Sequence, residues 1–555
     1  MSDPQSPEHP ESSALPPTSP APESPASPAA ESPTSPEPPR DGPNVASVAE
    51  SSATLATNEH SREGRAARRH HAAQPEHAAH PEHAAKPPRA PGTTRALLVA
   101  SGRATLALGA AAAAAALVAG VLFVPSPALA PDALAITVTP DRADQTLVCA
   151  GSVLGLTRGE NPQVAAVADP QRRSAGTGLG ESTIVQSDAL DGGAVVVTLP
   201  KEAPAEALAA SESVRARTSD VAGLAASECL TPGRSAWLVA GSTTTGRTTW
   251  IVLTNAGAVD ATVSLRVFTE NGPVTAPGLS GIVVAAGTQR VLPLSGIVVG
   301  AESPVVEVRS EGGSVAATLQ HSIVRGLDAS GISIVTPLEA AATRHVIPAM
   351  PVIGGQAVLE RASDEGNADA LTALRMLAPG DSPVDVTVRL IPQSGDAGVA
   401  LTTTLEPQAV LDLPFTDLLD GDYSIVVESS APTVVAARTS TAGTSGIDLE
   451  WFTPVAEIEP GTEVLAAVAP VGQSVTAFIH VFAPDADATV TVDGRTVDVP
   501  AGTGLVLESA TNAAVQLSTT APLHASVSYR GDSLLASSRI LPPPAAARPV
   551  TVLPY

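Results

Sequence analysis

The chain has 555 residues, among them 52 Pro, 44 Gly, three Trp, three Tyr and six Phe, and its 31 Lys/Arg against 56 Asp/Glu leave a net charge of −25. So acidic a chain offers no basic surface to displace phosphate counterions, which excludes nucleic acid as a partner. Two Cys exclude a disulfide-dense scaffold and a four-cysteine zinc site, while the length admits roughly three or four domains.

Residues 1–43 contain 14 Pro, with Ser, Glu and Ala supplying most of the rest. Proline cannot donate a ladder hydrogen bond, and nothing large and apolar is there to bury. The same style runs to about residue 94 and includes an imperfect repeat, His71-Ala-Ala-Gln-Pro-Glu76, His77-Ala-Ala-His-Pro-Glu82, His83-Ala-Ala-Lys-Pro. We read residues 1–94 as a disordered Pro/Ala/His-rich cytoplasmic tail. Its six Ser-Pro sites suit phosphate or a proline-reading domain, and its six His between 60 and 83 suit adventitious metal; a plain tethering spacer is the simpler reading.

A transmembrane helix is expected over 97–124. Its uncharged core, Ala104–Val124, has 21 residues, enough at about 1.5 Å per residue to cross about 30 Å of hydrocarbon. From Arg62 to Arg103 there are eight Lys/Arg against three Glu, which places the N-terminus in the cytoplasm and the C-terminal region outside. The alternative is a cleaved, secreted chain, because Ala128-Leu-Ala130 and Ala133-Leu-Ala135 both carry the small-x-small pattern of a signal-peptidase site. The long polar leader and the length of the apolar run favour an uncleaved anchor. Nine Lys/Arg and twelve Asp/Glu precede Pro125, leaving 22 and 44 after it, so the outer part carries −22.

Residues 131–234 form the first extracellular module. Ile136–Val138, Leu147–Cys149 and Val195–Leu199 read as strands, and Glu206–Glu228 has the content of a short helix or ordered loop. Cys149 and Cys229 both fall here. Outside the membrane a disulfide between them is expected, a free thiol being the alternative.

From Ser235 onward the chain alternates with period two between turn residues. Val263-Ser-Leu265-Arg-Val267 and Val384-Asp-Val386-Thr-Val388-Arg-Leu390 each put aliphatics on one face, and Asn271-Gly272, Asp420-Gly421 and Asp493-Gly494 mark tight turns. No helical stretch is expected here. Self-alignment gives three units, opening at Thr249–Asn255, Ala373–Pro379 and Ala477–Pro484. Each closes with two strands read as a pair: Val305–Val308 with Val315–Leu319, Ser424–Val427 with Val434–Ala437, and Ala514–Leu517 with Ala525–Tyr529. The fold class is therefore mainly β, with tandem β-sandwich-like repeats at 235–340, 341–456 and 457–555. Each unit is expected to bury its own core, as beads in a row.

The Pro-rich leader, the anchor and the Cys149/Cys229 segment lead into Trp237-Leu-Val-Ala-Gly241, Leu253-Thr-Asn255, Ala261–Phe268, Val306–Arg309 and Val315–Leu319. This order resembles an uncharacterised family of actinobacterial exported proteins. The resemblance implies location and β architecture over roughly 130–555 and brings no catalytic residue.

For chemistry, the chain lacks G-x-S-x-G, H-E-x-x-H and G-x-x-x-x-G-K-[ST] patterns. His321, His480 and His524 on predicted strands suggest a metal only if they meet; His345 is the fourth outer His. Asp364-Glu-Gly-Asn367-Ala-Asp369 and Asp485-Ala-Asp487 have oxygens for calcium but not the spacing of a calcium loop. Trp250 is expected in a core, and Trp237 and Trp451 at unit boundaries; an exposed Trp would instead be a glycan cue. No catalytic, cofactor or metal residue is assigned. The expected function is a non-enzymatic, membrane-anchored envelope protein whose outer part scaffolds or engages a protein partner. A wall-polysaccharide-binding array is the alternative, and a hydrolase within 131–234 is a third possibility.

Overall fold

The computed structural model describes residues 143–543 except 204–206, 394–397 and 445, together with the backbone of 136–138 and 550–552 and the isolated positions 109, 112 and 113. The 1–94 tail and nearly all of the 97–124 anchor lie outside the described residues. Among the described residues no helix is long and apolar enough to cross a membrane.

The described chain is mainly β and is built from several sheets. Between Ser235 and Ile540 one strand arrangement occurs three times. In the first unit Ser235–Val239, Val305–Gly312, Ala261–Thr269 and Gly272–Val274 lie side by side, facing a sheet of Asp328–Val335, Ala316–Arg325, Arg247–Asn255 and Thr288–Pro293. The second repeats it with Ala342–Val352, the start of Gly421–Gly443, Val384–Pro392 and Val399–Leu405 in one sheet. Gly446–Phe452, the end of Gly421–Gly443, Ala373–Leu377 and Val410–Pro414 form its other sheet. In the third, Val464–Val468, Ala513–Thr519, Ala488–Val492 and Arg495–Val499 make one sheet. Leu534–Ile540, His524–Gly531, Val475–Ala483 and Thr503–Ser509 make the other.

Local sequence explains the regular strands. Ala261–Thr269 buries Ala261, Val263, Leu265 and Val267 and exposes Thr262, Ser264 and Arg266, as its alternation predicts. Asp493 and Gly494 both take positive φ, 48° and 79°, in the two-residue turn between Ala488–Val492 and Arg495–Val499.

The closing strand pairs need correction. Val305–Gly312 and Ala316–Arg325 lie in opposite sheets, as do Ala513–Thr519 and His524–Gly531. In the second unit the two are one 23-residue strand, Gly421–Gly443, that leaves one sheet and enters the other. A short turn between two apolar runs fits a corner across the core as well as a hairpin. The hairpin that closes each unit comes one strand later.

Two further expectations are corrected. Within Glu206–Glu228 the chain forms strands Ala209–Arg217 and Ala222–Glu228, paired antiparallel; packing overrides the helical leaning of Ala and Leu. Helix α1 (Gly355–Ala362) interrupts the second unit. Its start has no capping side chain nearby; Asp420, 65 residues on, accepts the Gly354 and Gly355 N–H groups at 2.9 and 2.8 Å.

The units are not beads in a row. The core of the first unit runs on into Leu377, Val434, Ala436, Leu449 and Trp451 of the second. That of the third takes in Leu224 and Ala226 from the first module, whose Val153, Val214 and Ala225 pack on Ile332 and Ile334. The last strand of each unit joins Ala222–Glu228, so that four strands pack around a common centre. Both faces of these strands are largely buried, which erases the period-two signal that marks a half-solvated sheet.

Cys149 and Cys229 are joined by a disulfide, with Cα atoms 4.2 Å apart across 80 positions. The neighbouring Val148 and Leu230 exchange two backbone hydrogen bonds of 2.8 Å, so the bridge seals an existing contact. Loop closure of this length contributes about 4 kcal/mol. Ile136–Val138 pairs antiparallel with Val550–Val552.

Candidate functional site

At the meeting point of the four strands sits Asp448, fully buried. Its Oδ1 accepts the N–H groups of Ile332 and Leu449 at 3.1 and 3.0 Å, and its Oδ2 those of Leu224 and Leu535 at 2.8 and 3.3 Å. One donor comes from the first module and one from each of the three units. The two oxygens of a carboxyl group carry enough lone pairs to accept four N–H groups at once. Gly223, at φ 140°, leaves the space; a Cβ there would lie 2.4 Å from Asp448 Oδ1. Burial pushes the Asp448 carboxyl up to about 8 against the opposing pull of the four donors.

Other buried acids are tied to backbone and side-chain donors. Glu450 accepts the Ser537 N–H and hydroxyl at 3.0 and 2.8 Å, and burial raises it well above the usual carboxylate range. Glu228 takes the Arg539 Nε–H and backbone N–H, both at 2.8 Å, while Arg539 Nη1 donates to the Pro337 carbonyl. Glu212, pushed to about 7 by burial, accepts the Gly151 N–H at 2.7 Å.

The junction of the first and second units is built from arginine and tryptophan. Arg375 is 0% exposed, yet every donor is used. Nε and Nη2 grip Asp412 at 2.8 and 2.9 Å, Nη1 reaches the Gly241 and Pro304 carbonyls, and Nη2 also reaches that of Glu302. Its guanidinium lies 4.6 Å from the centre of the Trp451 ring, and that of Arg438 lies at 5.3 Å. Trp451 donates its indole N–H to His321 Nδ1 at 3.2 Å, which leaves the ring proton of neutral His321 on Nε2. Burial holds His321 down at about 3. Nearby, Asp369 receives Arg247 at 2.8 and 2.9 Å and Arg325 Nη1 at 2.7 Å, and stays ionised with its pKa lowered to about 2 despite burial.

The junction of the second and third units is simpler. Arg530 grips Asp422 with both terminal nitrogens, donates Nε to Ser528 at 2.9 Å and Nη2 to His480 Nε2 at 2.9 Å, and covers Phe478. His480 Nδ1 faces Gln393 Oε1 at 3.3 Å.

The three histidines considered for a metal are thus held apart. His321 serves Trp451, His480 serves Arg530, and His524 donates to the Val455 carbonyl at 2.8 Å, burial lowering it to about 4. His345 donates to the Thr433 carbonyl. Among the described residues no group of three or more His, Cys, Asp or Glu is arranged to hold a metal ion. The acidic loops use their oxygens internally: Asp369 on arginine, Asp485 on Arg344 at 2.7 Å, and Asp487 on the Ala501 N–H. All three Trp are buried. Trp451 seals a junction as expected, but Trp237 stacks on Phe268 inside the first unit. Trp250 turns away from its own core to pack on Leu154 of the first module. A cleft of about 240 Å³ opens elsewhere, lined by Leu265, Phe268, Val274, Leu279 and Gln408.

Sequence reading missed Arg375, Asp412, Asp448 and Glu450. The signal was present in Ala373-Leu-Arg-Met-Leu377, a charge inside a continuous apolar run. In Ile447-Asp-Leu-Glu-Trp451 the acids mimic a solvated face.

Comparison with known proteins bears on classification. A family described as of unknown function, DUF5719, matches residues 184–517, and the chain belongs to it. No curated protein matches. Among solved structures, the crystal structure of Thermotoga maritima 1070 is similar at 18% identity, over 20% of this chain and 93% of that one, with a TM-score of 0.18. A score that low carries no argument here.

Proposed function

We propose that this member of the DUF5719 family is a non-enzymatic envelope protein, anchored by residues 97–124 with its N-terminus in an actinobacterial cytoplasm. Its outer part, the first module at 131–234 and β-sandwich-like repeats at 235–340, 341–456 and 457–555, acts as a rigid scaffold that holds a partner. The observation that carries this reading is Asp448, which binds one backbone N–H from each of the four parts. Such a tie fixes the parts relative to one another and suits a platform better than a flexible string. Wall-glycan binding draws less support, because Trp237, Trp250 and Trp451 offer no exposed indole for sugar stacking.

Cross-linking the full chain in its native membrane and identifying the attached species tests this. A recurrent envelope protein attached to the outer part is the expected result. Retention of the chain on purified wall glycan, with no protein adduct, contradicts the scaffold reading. Labelling an introduced cysteine near residue 140 from outside intact cells tests the topology.

A further inference from the structure

Charge does not balance at the junction of the first and second units. Arg247, Arg325, Arg375 and Arg438 bring four positive charges to a buried region that holds two carboxylates, Asp369 and Asp412. Every guanidinium nitrogen of Arg375 and Arg247 has a partner. That is not so of the other two. Arg325, its side chain 9% exposed, spends only Nη1 on Asp369, and its Nε and Nη2 have no partner. Those two nitrogens form one edge of the guanidinium and point their N–H groups in parallel, the fork that grips two oxygens of one oxyanion. Arg438, 7% exposed, lies 3.9 Å from Asp412, reaches the Leu371 carbonyl at a long 3.4 Å, and leaves Nε without a partner.

A neutral donor joins them. His321 accepts from Trp451 on Nδ1, so its proton sits on Nε2, and that atom too is buried without a partner. Arg325 and Arg438 both reach the segment from Gly366 to Leu371, and His321 lies beside Trp451, whose ring Arg438 covers. Gly366 offers its carbonyl to Arg247, Asp369 its carboxylate to Arg247 and Arg325, and Leu371 its carbonyl to Arg438. Arg325 depresses the protonation of Arg438, and Asp369 acts on His321. Buried charge without a counter-charge is destabilising, and buried N–H groups without acceptors add to that.

We propose that this junction binds a small tetrahedral oxyanion of the phosphate or sulfate type. The Arg325 edge, Arg438 Nε and His321 Nε2 donate to it, and Asp369 with the 363–371 segment, whose Asp364 and Glu365 are exposed to solvent, forms its rim. The anion supplies the negative charge that two aspartates cannot. It also couples the first unit to the second, since Arg325 and His321 come from one and Arg438 from the other. This goes beyond the scaffold reading and does not depend on it.

The test is calorimetric titration of the full chain with inorganic phosphate at constant ionic strength, in sodium chloride, with the thermal midpoint followed in parallel. Saturable binding and a midpoint that climbs with phosphate are expected, with sulfate acting alike and added chloride alone having no such effect. Arg325→Gln and Arg438→Gln should each weaken phosphate binding about tenfold or more, the loss of at least one charge-assisted hydrogen bond. Arg530→Gln, in the balanced junction, should lower the midpoint but retain the phosphate response. Absence of saturable binding to the unaltered chain overturns the proposal, whatever the variants do. So does an equal response in Arg325→Gln and Arg438→Gln, which would mark an unspecific ion effect.

Discussion

At the junction of the first and second units four guanidiniums share two carboxylates, whereas at the junction of the second and third Arg530 has Asp422 to itself. Both join the same kind of two-sheet unit, and both stack a guanidinium on an aromatic ring. Burial alone does not separate them, because each holds a histidine that burial keeps neutral. What differs is the number of acceptors. Arg530 donates to Asp422, Ser528 and His480, while Arg325 and Arg438 are left with idle N–H groups. A repeated fold can therefore be fastened by a closed pair or by an open network. The open one leaves guanidinium edges buried and unused.

The largest effect is expected from Arg375→Ala. It leaves the half-buried Asp412 with Ser303 and the distant Arg438 and strips three carbonyls of their donor, so urea denaturation should show a loss of about 3–5 kcal/mol. Arg530→Ala removes a partly solvated pair and should cost about 2 kcal/mol in the same measurement. If the two losses were equal, the distinction between the junctions would rest on nothing energetic. Arg438→Met should cost under about 1 kcal/mol or stabilise the phosphate-free chain, since an apolar side chain of similar length replaces a poorly matched buried charge. A loss as large as that of Arg375→Ala would mean that Arg438 is a structural pair member after all.

A further expectation concerns pH. His321 and His524 are held at about 3 and 4, so the unfolded chain takes up protons first as pH falls below about 6.5. Their contribution to stability is complete above that value and is lost on the way down. The raised carboxyls act with the opposite sign. Asp448 at about 8 and Glu212 at about 7 hold protons that the unfolded chain releases near pH 4, so stability falls as pH rises through that window. Above pH 6.5 only the carboxyl slope remains. Denaturation midpoints between pH 6.5 and 8 should therefore decline, and less steeply in Asp448→Asn. A rise over that range would mean that the four N–H donors keep Asp448 ionised.

The parts legible in sequence are those with one solvated face. Ala261–Thr269 announces itself by alternation, and Asp493-Gly494 by the positive φ that its turn requires. Legibility fails where partners are remote. Asp420 caps a helix 65 residues away, and the strands around Asp448 are buried on both faces by other units, so nothing periodic survives. The acids of Ile447-Asp-Leu-Glu-Trp451 show the limit. Their alternation is that of a wet strand, yet Asp448 and Glu450 lie at 0% and 1% exposure because backbone N–H groups and serines from other units replace water. Arg375 was the readable exception, a charge in an unbroken apolar run.

The interlocked arrangement is tested most directly by scanning calorimetry of the full chain, comparing the calorimetric with the van't Hoff enthalpy for the outer part. Four parts tied through Asp448 should unfold in one cooperative transition with the two enthalpies equal, and Asp448→Ala should split it. Separate transitions for each unit in the unaltered chain would contradict the account and restore the picture of independent beads.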